Sequence, residues 1–361
     1  MAQIDAFFKM MHEMGASDLH LSSGSQPIIR LHGDLERVKY KVFEHDELKK
    51  LLYEITPEGK IKEFEETGDV DFAYEVPGMA RYRVNFFNQN RGCAAVFREI
   101  PSKILTCDEL GLPPLLQNLA LLPKGLVLVT GPTGSGKSTT LAAIVDYANK
   151  NRKRHILTIE DPIEFVHTPQ QCLINQRELG RDTKSFAAAL RGALREDPDI
   201  ILVGEMRDLE TIQLAIEAAE TGHLVFSTLH TISAAKTVDR IIEVFPGDLQ
   251  EQVRAGLSEA LRAVVAQNLF KRVDQKGRAA ALEILVGVPA VRNLIRENKT
   301  FQINSIMETG KKFGMQTLDD EIMKLLNAKK IDPNDAYEKA VDKAKFKQFL
   351  TKPPKDFTEG A

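Results

Sequence analysis

One glycine-rich stretch has the residue types and the spacing to bind phosphate groups. At residues 131–138 a glycine, four further residues and Gly-Lys-Ser follow one another. Glycines let the backbone come close to phosphate oxygens, and loop N–H groups at the start of a helix supply partial positive charge. The motif therefore predicts a nucleoside triphosphate site formed by the following residues: Gly131, Pro132, Thr133, Gly134, Ser135, Gly136, Lys137, Ser138 and Thr139.

Two side chains of this stretch have specific expected roles. Lys137 should reach the β- and γ-phosphates of ATP, and the Ser138 hydroxyl should ligate Mg²⁺. A chance glycine turn could share the motif, so its flanks decide between the two interpretations. Residues 125–130 form an unbroken apolar run, and residues 139–150 carry apolar side chains at helical spacing. A buried strand and a helix on the correct sides favour nucleotide binding.

Further groups capable of hydrolytic chemistry follow three predicted strands. In a parallel sheet, ligands bind beyond the carboxyl ends of the strands, so the residues at those ends are the candidates. The predicted strands at 156–159, 200–203 and 224–229 are followed by these ionisable residues: Glu160 and Asp161, Glu205, and His230. All four should lie on the side of the sheet where Lys137 would bind phosphate.

Glu205 is the preferred catalytic base. Many phosphate-loop enzymes end this strand in an aspartate that holds Mg²⁺ through water, whereas Gly204 occupies that place here. We expect Glu205 to orient the attacking water, and Glu160 and Asp161 to supply negative charge near Mg²⁺. Glu160 is favoured over Asp161 for this role. The alternative for each is an ordinary solvated carboxylate at the end of a strand.

Two histidines bracket the strand predicted at 224–229, and geometry separates their roles. At ~3.3 Å per residue they lie about 20 Å apart, so both cannot contact one γ-phosphate. His230, at the carboxyl end, is the candidate sensor of that phosphate, although a structural role stays open. His223 is expected to serve packing or a subunit contact.

Phosphoryl transfer also needs cationic groups at the γ-phosphate, and two arginine pairs are candidates. Arg81 and Arg83 share one face of a predicted strand. Arg191 and Arg195 stand at i, i+4 in a predicted helix and should share a helix face. Exposed arginines are usually only solvated, but two aligned pairs favour a contribution across a domain or subunit boundary.

Composition narrows the class of protein. The chain has 361 residues, 43% of them hydrophobic, and a formal net charge of −3, which gives no electrostatic case for nucleic acid as a partner. Its three cysteines form neither a disulfide framework nor a zinc site. No signal peptide or membrane-spanning run is expected, so the sequence predicts a cytoplasmic protein that reaches a membrane only through a partner.

The order of predicted elements indicates two domains. Residues 1–99 read as a small α+β domain, residues 100–122 as a Pro-containing linker, and residues 123–361 as an α/β domain with a mostly parallel sheet. Residues 47–64 read as one helix, and a turn is expected at Gly33. After about residue 245 only 281–288 reads as a strand. The tail after Lys329 is predicted to be a solvated helix with a frayed end.

With these residues in hand, the chain resembles the PilT-type retraction ATPases of the type IV pilus, within the secretion ATPase superfamily. The resemblance covers nearly the whole sequence. Besides the phosphate motif and the Arg81/Arg83 strand, it rests on segments in the family order: 16–21, 158–164, 199–208, 221–231 and 314–319. It implies a PAS-like N-terminal domain, a RecA-like ATPase domain with C-terminal helices, and a homo-hexamer. It also implies that Glu205 is the catalytic glutamate and that N-terminal-domain arginines close the nucleotide site.

Two features associate the chain with retraction rather than extension or export. Extension and export ATPases of the superfamily usually carry a four-cysteine zinc module, and Cys172 is the only cysteine after Cys107. Residues 290–297 are similar to the retraction family's Ala-Ile-Arg-Asn-Leu-Ile-Arg-Glu signature and depart from it only at Val291. In this segment Pro289 should start a short helix with Val291 inward and Arg292 and Arg296 outward. By the resemblance, this helix is expected to transmit movement to the inner-membrane platform protein (PilC-like) of the pilus.

Three other functions remain as alternatives at this point. The first is a pilus extension or secretion ATPase, and the second is a nucleotide-dependent assembly switch without motor activity. A degenerate switch would be expected to lose its lysine or its base, whereas Lys137, Ser138 and Glu205 are all present. The third, a DNA-handling motor, is disfavoured because the sequence has no basic stripe interleaved with aromatic residues.

Overall fold

The computed structural model describes residues 2–31, 34–100 and 103–351, and the chain divides into two compact units. The first unit runs to Ile104 and also includes Pro162–Val166, and the second unit contains the rest. The turn predicted at Gly33 and the frayed end predicted for the tail lie outside the described residues. Each unit has its own sheet and its own hydrophobic core.

The first unit is built around a six-stranded antiparallel sheet. Its elements in chain order are α1 (Asp5–Met14), β1 (Asp18–Ser22), β2 (Ile28–Leu31), β3 (Asp34–Arg37), α2 (His45–Tyr53), α3 (Glu58–Thr67), β4 (Asp69–Val76), β5 (Ala80–Gln89) and β6 (Gly92–Ile100). The strand order is β3-β2-β1-β6-β5-β4. On β5, Tyr82 and Phe86 alternate with polar residues and are fully buried, with the Tyr82 ring stacked 4.3 Å from that of Phe8. The predicted small α+β domain is confirmed.

The helix predicted at 47–64 is two helices, α2 and α3. Pro57 immediately precedes α3 and has no N–H to continue α2. The Thr56 hydroxyl instead donates to the Leu52 carbonyl at 2.8 Å and satisfies one of the last acceptors of α2. The break lets the second helix turn Phe64 onto Phe86, with ring centroids 3.8 Å apart. Helical periodicity alone missed this break.

The second unit contains a seven-stranded sheet of order β13-β12-β7-β11-β10-β8-β9. Its elements are α4 (Pro114–Ala120), β7 (Gly125–Thr130), α5 (Lys137–Asn151), β8 (His155–Glu160), β9 (Leu173–Glu178), α6 (Phe186–Ala193), β10 (Ile200–Val203), α7 (Leu209–Thr221), β11 (Leu224–Leu229), α8 (Ala234–Glu243), α9 (Gln250–Ala260), β12 (Leu261–Lys271), β13 (Arg278–Val286), α10 (Pro289–Arg296), α11 (Ile303–Thr309), α12 (Leu318–Asn327) and α13 (Pro333–Lys339). All neighbouring strands are parallel except β12 and β13. This is the predicted parallel-sheet ATPase domain.

Two strands of this sheet were not predicted. β12 lies beside β7 and is buried from Ala263 to Gln267, so helices or other elements cover both of its faces. A strand buried on both faces has no alternation of polar and apolar residues, and a continuous apolar run cannot be distinguished from a buried helix by periodicity. β9 is an edge strand, and it alternates too weakly to be recognised.

The segments at both ends of the second unit pack more closely than the sequence indicated. From Leu105 onward the predicted linker belongs to this unit, and Leu116 and Leu119 of α4 are buried in its core. In the tail, Tyr337 and Phe346 pack with Phe270 of β12 in a separate buried cluster. The prediction of a merely solvated tail was therefore wrong for the described part of that segment, because its apolar residues are few but converge on one surface.

Candidate active site

The phosphate loop connects the end of β7 to the start of α5. Gly131, Gly134 and Gly136 have positive φ angles of 143°, 79° and 86°, which side chains other than hydrogen rarely allow. A Cβ atom at Gly131 would lie 2.4 Å from the Gln267 carbonyl oxygen, so only glycine fits there. A Cβ at Gly134 would have no atom within 4 Å, and Pro132 is exposed. The loop therefore has a tightly packed base and an open mouth, as phosphate binding requires.

Gln267 of β12 supports this loop by hydrogen bonds, and this role was not predicted from the sequence. Its buried side-chain amide donates to the Ser135 carbonyl at 2.7 Å, and its amide oxygen accepts from the Thr140 hydroxyl at 2.7 Å. One side chain thus joins the loop to the first turns of α5. The available signal was an amide inside the apolar run 263–270, where a buried polar group needs partners.

Lys137, the first residue of α5, has its ammonium group over the loop. Its Nζ donates to the carbonyl oxygens of Gly131 at 2.9 Å and of Pro132 at 3.1 Å, and lies 3.4 Å from His230 Nδ1. Ser138 and Thr139 follow in the first turn of α5 and are half-buried. Their positions place hydroxyl groups and helix N–H groups on the side of the loop where an anion is favoured.

The strand order explains which strand-end residues meet. β11 is adjacent to β7, and β10 is adjacent to β11, so His230 lies between Lys137 and Glu205. His230 Nε2 is 3.1 Å from Glu205 Oε1, and Arg207 Nη2 is 2.8 Å from Glu205 Oε2. The four side chains of Lys137, His230, Glu205 and Arg207 form one continuous polar chain. This chain, called here the catalytic row, unites three of the predicted site residues.

Gly204 explains why the carboxylate of this strand stands one residue later than usual. The Gly204 N–H donates to the Ile159 carbonyl at 2.8 Å, which draws the ends of β8 and β10 together. A Cβ at Gly204 would lie 3.2 Å from that carbonyl oxygen and 3.3 Å from Glu160 Cα. An aspartate at this position would therefore have to displace backbone atoms, whereas the Glu205 side chain reaches His230 and Arg207.

The charge of Glu205 is controlled by its neighbours. Burial raises the pKa of this carboxyl, but the hydrogen bond and charge of Arg207, followed by His230, outweigh burial and lower it. The hydrogen bond that Arg207 donates to Glu205 in turn raises the pKa of Arg207, and the nearby Asp161 adds to the effect. Glu205 is consequently an anion held in place from both sides.

Glu160 ends β8, one strand beyond Glu205. Its Oε1 accepts from the Thr158 hydroxyl at 2.7 Å and from Gln176 Nε2 at 3.2 Å, which fixes the carboxylate at the edge of the sheet. Asp161 is exposed in the bend that follows. The described residues contain no cluster of three or more His, Cys, Asp or Glu side chains arranged for a metal ion. A role of Glu160 or Asp161 near Mg²⁺ stays a prediction.

The two arginine pairs differ from each other in the structure. Arg81 and Arg83 do share one face of β5 in the first unit, and Arg83 lies 4.0 Å from Asp71. The shared helix face predicted for Arg191 and Arg195 was wrong, because α6 ends at Ala193 and Arg195 lies in the following turn. Asp197 with φ of 53° and Pro198 prevent the helix from continuing. Arg191 forms an ion pair with Glu210 of α7.

Helix α10 begins at Pro289, as predicted, with Val291 and Ile295 buried. Its arginines are not equally outward. Arg296 is exposed and pairs with Glu259 of α9 at 2.6 Å, whereas Arg292 is half-buried and its Nε donates to the Gly287 carbonyl at 2.9 Å. The prediction of an outward Arg292 was therefore wrong in part, because this side chain folds back onto the turn that precedes the helix.

No helix in the ranges that the structure describes is both long enough and apolar enough to cross a membrane.

Comparison with known proteins finds relatives that match almost the whole chain. Residues 2–345 match the family model of the type II/IV secretion system proteins. The chain is 58% identical over 328 residues to the type IV pilus retraction ATPase PilT of Pseudomonas aeruginosa, covering 91% of this chain and 95% of the relative. It is 56% identical over 314 residues to a twitching motility protein of Neisseria gonorrhoeae, covering 87% and 84%.

Among solved structures, the chain is similar to the crystal structure of the pilus retraction motor PilT with bound ADP. The TM-score is 0.87 at 46% sequence identity, and the match covers 94% of this chain and 97% of the other. These matches identify a nucleotide-hydrolysing protein, and the phosphate loop has the geometry to bind the nucleotide. The chain therefore belongs to the type II/IV secretion system protein family and is an ATPase of its PilT type.

Proposed function

We propose that this ATPase is the motor that powers type IV pilus retraction and that it works as a homo-hexameric ring. The observation that carries the proposal is the catalytic row, because it connects the phosphate-binding lysine to the strand-end carboxylate through a single histidine. The similarity to a pilus retraction ATPase and to a twitching motility protein, over most of both chains, supports the biological role.

Each residue of the catalytic row has a distinct proposed task. Lys137 balances the charge of the β- and γ-phosphates from the first turn of α5. Glu205 orients the attacking water, and Arg207 holds Glu205 ionised until that water is bound. His230 lies within reach of both Lys137 and Glu205, which allows it to sense the γ-phosphate. Hydrolysis then follows from positioning and electrostatics, without a covalent intermediate on the protein.

Mg²⁺ would bind beside Ser138, with Glu160 and Asp161 contributing negative charge through water. The hydroxyl of Ser138 at the amino end of α5 is suited to this hard cation, which prefers oxygen ligands and keeps several waters. When bound, the ion neutralises charge on the phosphates. Carboxylates that act through water need no direct contact with the ion, and this fits the absence of a dense ligand cluster among the described residues.

Four arginines complete the proposed ATP contacts. Arg81 and Arg83 belong to the first unit, and we propose that they close a nucleotide site of the ring. Arg191 would have to exchange Glu210 for a phosphate oxygen, and Arg195 would act from the turn after α6. Mixed rings of two variants can show whether an arginine acts within its own subunit or across a subunit boundary.

The proposal of retraction rather than extension rests on two features. The sequence has no four-cysteine zinc module, which extension and export ATPases of the superfamily usually carry. Helix α10 contains most of the segment that is similar to the retraction family's signature, and its Arg296 is exposed. We assign Arg292 and Arg296 to coupling with the inner-membrane platform protein (PilC-like), and we place the ring at the cytoplasmic side of the pilus base.

The test of the function is the pilus phenotype of cells that lack the native gene. Wild-type protein should restore twitching, whereas Lys137→Ala protein should leave surface pili in place without retraction, because the variant cannot hold the phosphates. Immunoblots of sheared pili and twitching zones measure the two effects separately. Loss of surface pili would instead indicate an extension ATPase, and normal twitching would show that retraction does not need ATP hydrolysis by this chain.

Coupling is tested in the same cells with Arg296→Ala. The side chain is exposed, so its removal should change stability by less than ~0.5 kcal/mol, and the purified variant should still hydrolyse ATP. Twitching should nevertheless be lost. Lys299→Ala, which removes an exposed lysine just after the helix, is the matched control and should twitch normally. Joint loss of hydrolysis and twitching would show that α10 is needed for hydrolysis itself. Normal twitching would show that it is an ordinary surface helix.

A further inference from the structure

A buried carboxylate lies at the amino ends of two helices in the second unit. Glu283 of β13 is 4% exposed, and its Oε1 accepts the N–H of Ala234 at 2.6 Å. The N–H of Leu318 also acts on this carboxyl to lower its pKa, and the next residue of β13, Ile284, pairs with Gln316 just before α12. Ala234 is the first residue of α8, and Leu318 is the first residue of α12. Glu283 is therefore bonded to the start of α8 and lies beside the start of α12.

The physical chemistry of this contact makes it a strong constraint. The first N–H groups of a helix have no partner inside the helix, and a negative charge is favoured at that end. Burial is the largest influence and raises the pKa of Glu283, and the N–H groups of Ala234 and Leu318 oppose it only in part. A buried carboxyl at this place cannot move away from α8 without leaving the Ala234 N–H unsatisfied.

One of these helices starts directly after the active site. Ala234 is four residues beyond His230, and the helix is also tied to the phosphate loop. The Thr237 and Thr231 hydroxyls are 2.7 Å apart, and Thr237 Oγ1 is 3.5 Å from the Thr130 hydroxyl, at the last residue before the loop. A displacement of His230 or of the loop must therefore act on the amino end of α8.

The other helix anchors the C-terminal part of the unit. Gln316 exchanges two backbone hydrogen bonds with Ile284, of 2.9 and 3.1 Å, and its side chain donates to the Leu282 carbonyl at 2.7 Å. Asp319 accepts the N–H groups of Val341 and Asp342 at 2.8 and 2.9 Å. Helix α12 is thus connected to β13 on one side and to the segment after α13 on the other.

We propose that Glu283 is a positioning residue that transmits nucleotide-dependent movement of the His230 segment to α12 and the C-terminal helices. The proposal rests on the function proposed above, in which His230 responds to the γ-phosphate. It adds a route by which this response leaves the active site. Glu283 itself does not contact nucleotide, and its effect passes through the amino ends of α8 and α12.

Hydrogen–deuterium exchange on the purified full-length protein tests this route. Exchange is compared with ADP and with a non-hydrolysable ATP analogue, each with Mg²⁺, in peptides covering residues 130–140 and 314–322. In the wild type, both peptides should differ between the two nucleotides. In Glu283→Gln, which keeps the size but removes the charge, the difference at 130–140 should persist and that at 314–322 should disappear.

Steady-state kinetics and a matched control separate positioning from simple support of the fold. Glu283→Gln should lower kcat several-fold while the KM for ATP stays within twofold, because the phosphate loop is untouched. Asp332→Ala removes the cap of α13 and loosens the same C-terminal helices without contacting α8, and it should keep the nucleotide difference at 314–322. If Glu283→Gln does not fold, Glu283→Asp keeps the charge on a shorter stem and should lose the same difference.

The outcomes distinguish this inference from the proposed function. A nucleotide response at 130–140 with none at 314–322 in the wild type would overturn the inference and leave the ATPase intact. So would an unchanged response at 314–322 in the Glu283 variants, or its loss in Asp332→Ala. If neither peptide responded and the protein did not hydrolyse ATP, the proposed function would fail together with the inference.

Discussion

Glu205 stays ionised because of its partners. The carboxylate is four-fifths buried, which alone would raise its pKa, yet Arg207 and His230 lower it. A carboxylate with a lowered pKa is a weak proton acceptor. Its contribution to hydrolysis is therefore to orient and polarise the attacking water, and it can do so over a wide range of pH.

Arg207→Ala tests this control of charge. Removing the arginine leaves burial as the main influence, so the pKa of Glu205 should rise. Activity requires the ionised form and is lost as pH falls through that pKa, so the acid limb of the profile of kcat against pH should move to higher pH in the variant. Arg272→Ala, which removes an arginine paired only locally with Asp274, is the control and should keep the wild-type limb. Coincident limbs for Arg207→Ala and wild type would show that Arg207 does not set the charge.

Among the elements, β12 has the most direct effect on the phosphate loop. It lies next to β7. Its residue Gln267 bonds to the phosphate loop and to Thr140 near the start of α5. The loop itself is short and glycine-rich, so it needs external support to keep one conformation. The sheet supplies that support from the strand next to the one that carries the loop.

Gln267→Leu should weaken both the fold and nucleotide binding. Leucine has a similar size but cannot bond with the Ser135 carbonyl or the Thr140 hydroxyl, so two polar groups lose their partner at a cost of about 1–3 kcal/mol each. Thermal unfolding and ATP affinity measure the two effects. Gln213→Leu on the exposed face of α7 is the matched control, expected within ~0.5 kcal/mol of wild type. Equal stability and equal ATP affinity of the two variants would contradict the proposed support of the loop by Gln267.

The sequence predicts local features of this fold well and long-range contacts poorly. The phosphate loop, the strand-end positions of Glu205 and His230, and the start of α10 at Pro289 follow from short patterns of residue type. Gln267 could not be assigned because its partners lie more than a hundred residues away, and β12 has no alternation that reveals a strand. The inward fold of Arg292 is a short-range contact, but it depends on the backbone conformation at Gly287, which residue types alone do not specify.

At the scale of the whole molecule, the candidate ATP contacts are divided between two compact units. Arg81 and Arg83 belong to the first unit, and Lys137 and Glu205 belong to the second. In ring-shaped ATPases an arginine can be supplied by a neighbouring subunit, and the site is then complete only in the assembly. We therefore propose that the ring, and not the single chain, is the active form.

Mixed rings test this proposal. Protein with Lys137→Ala is combined with protein carrying both Arg81→Ala and Arg83→Ala, each inactive alone. If the arginines act across a boundary, random equal mixing leaves about a quarter of the sites intact, and up to that share of ATP turnover should return. Co-purification of two differently tagged variants checks that mixed rings form. Mixed rings without any recovered turnover would place the arginines in the same subunit as the lysine.

The most direct test of the account is ATP binding and turnover by Glu205→Gln, measured on particles whose mass is determined in the same sample. Glutamine keeps the size of the side chain and its contact with His230 but cannot act as the charged group that orients water. We predict hexameric particles that bind ATP as the wild type does and hydrolyse it at least ~100-fold more slowly. Turnover at the wild-type rate would contradict the assignment of Glu205, and Glu160 would then be the next candidate.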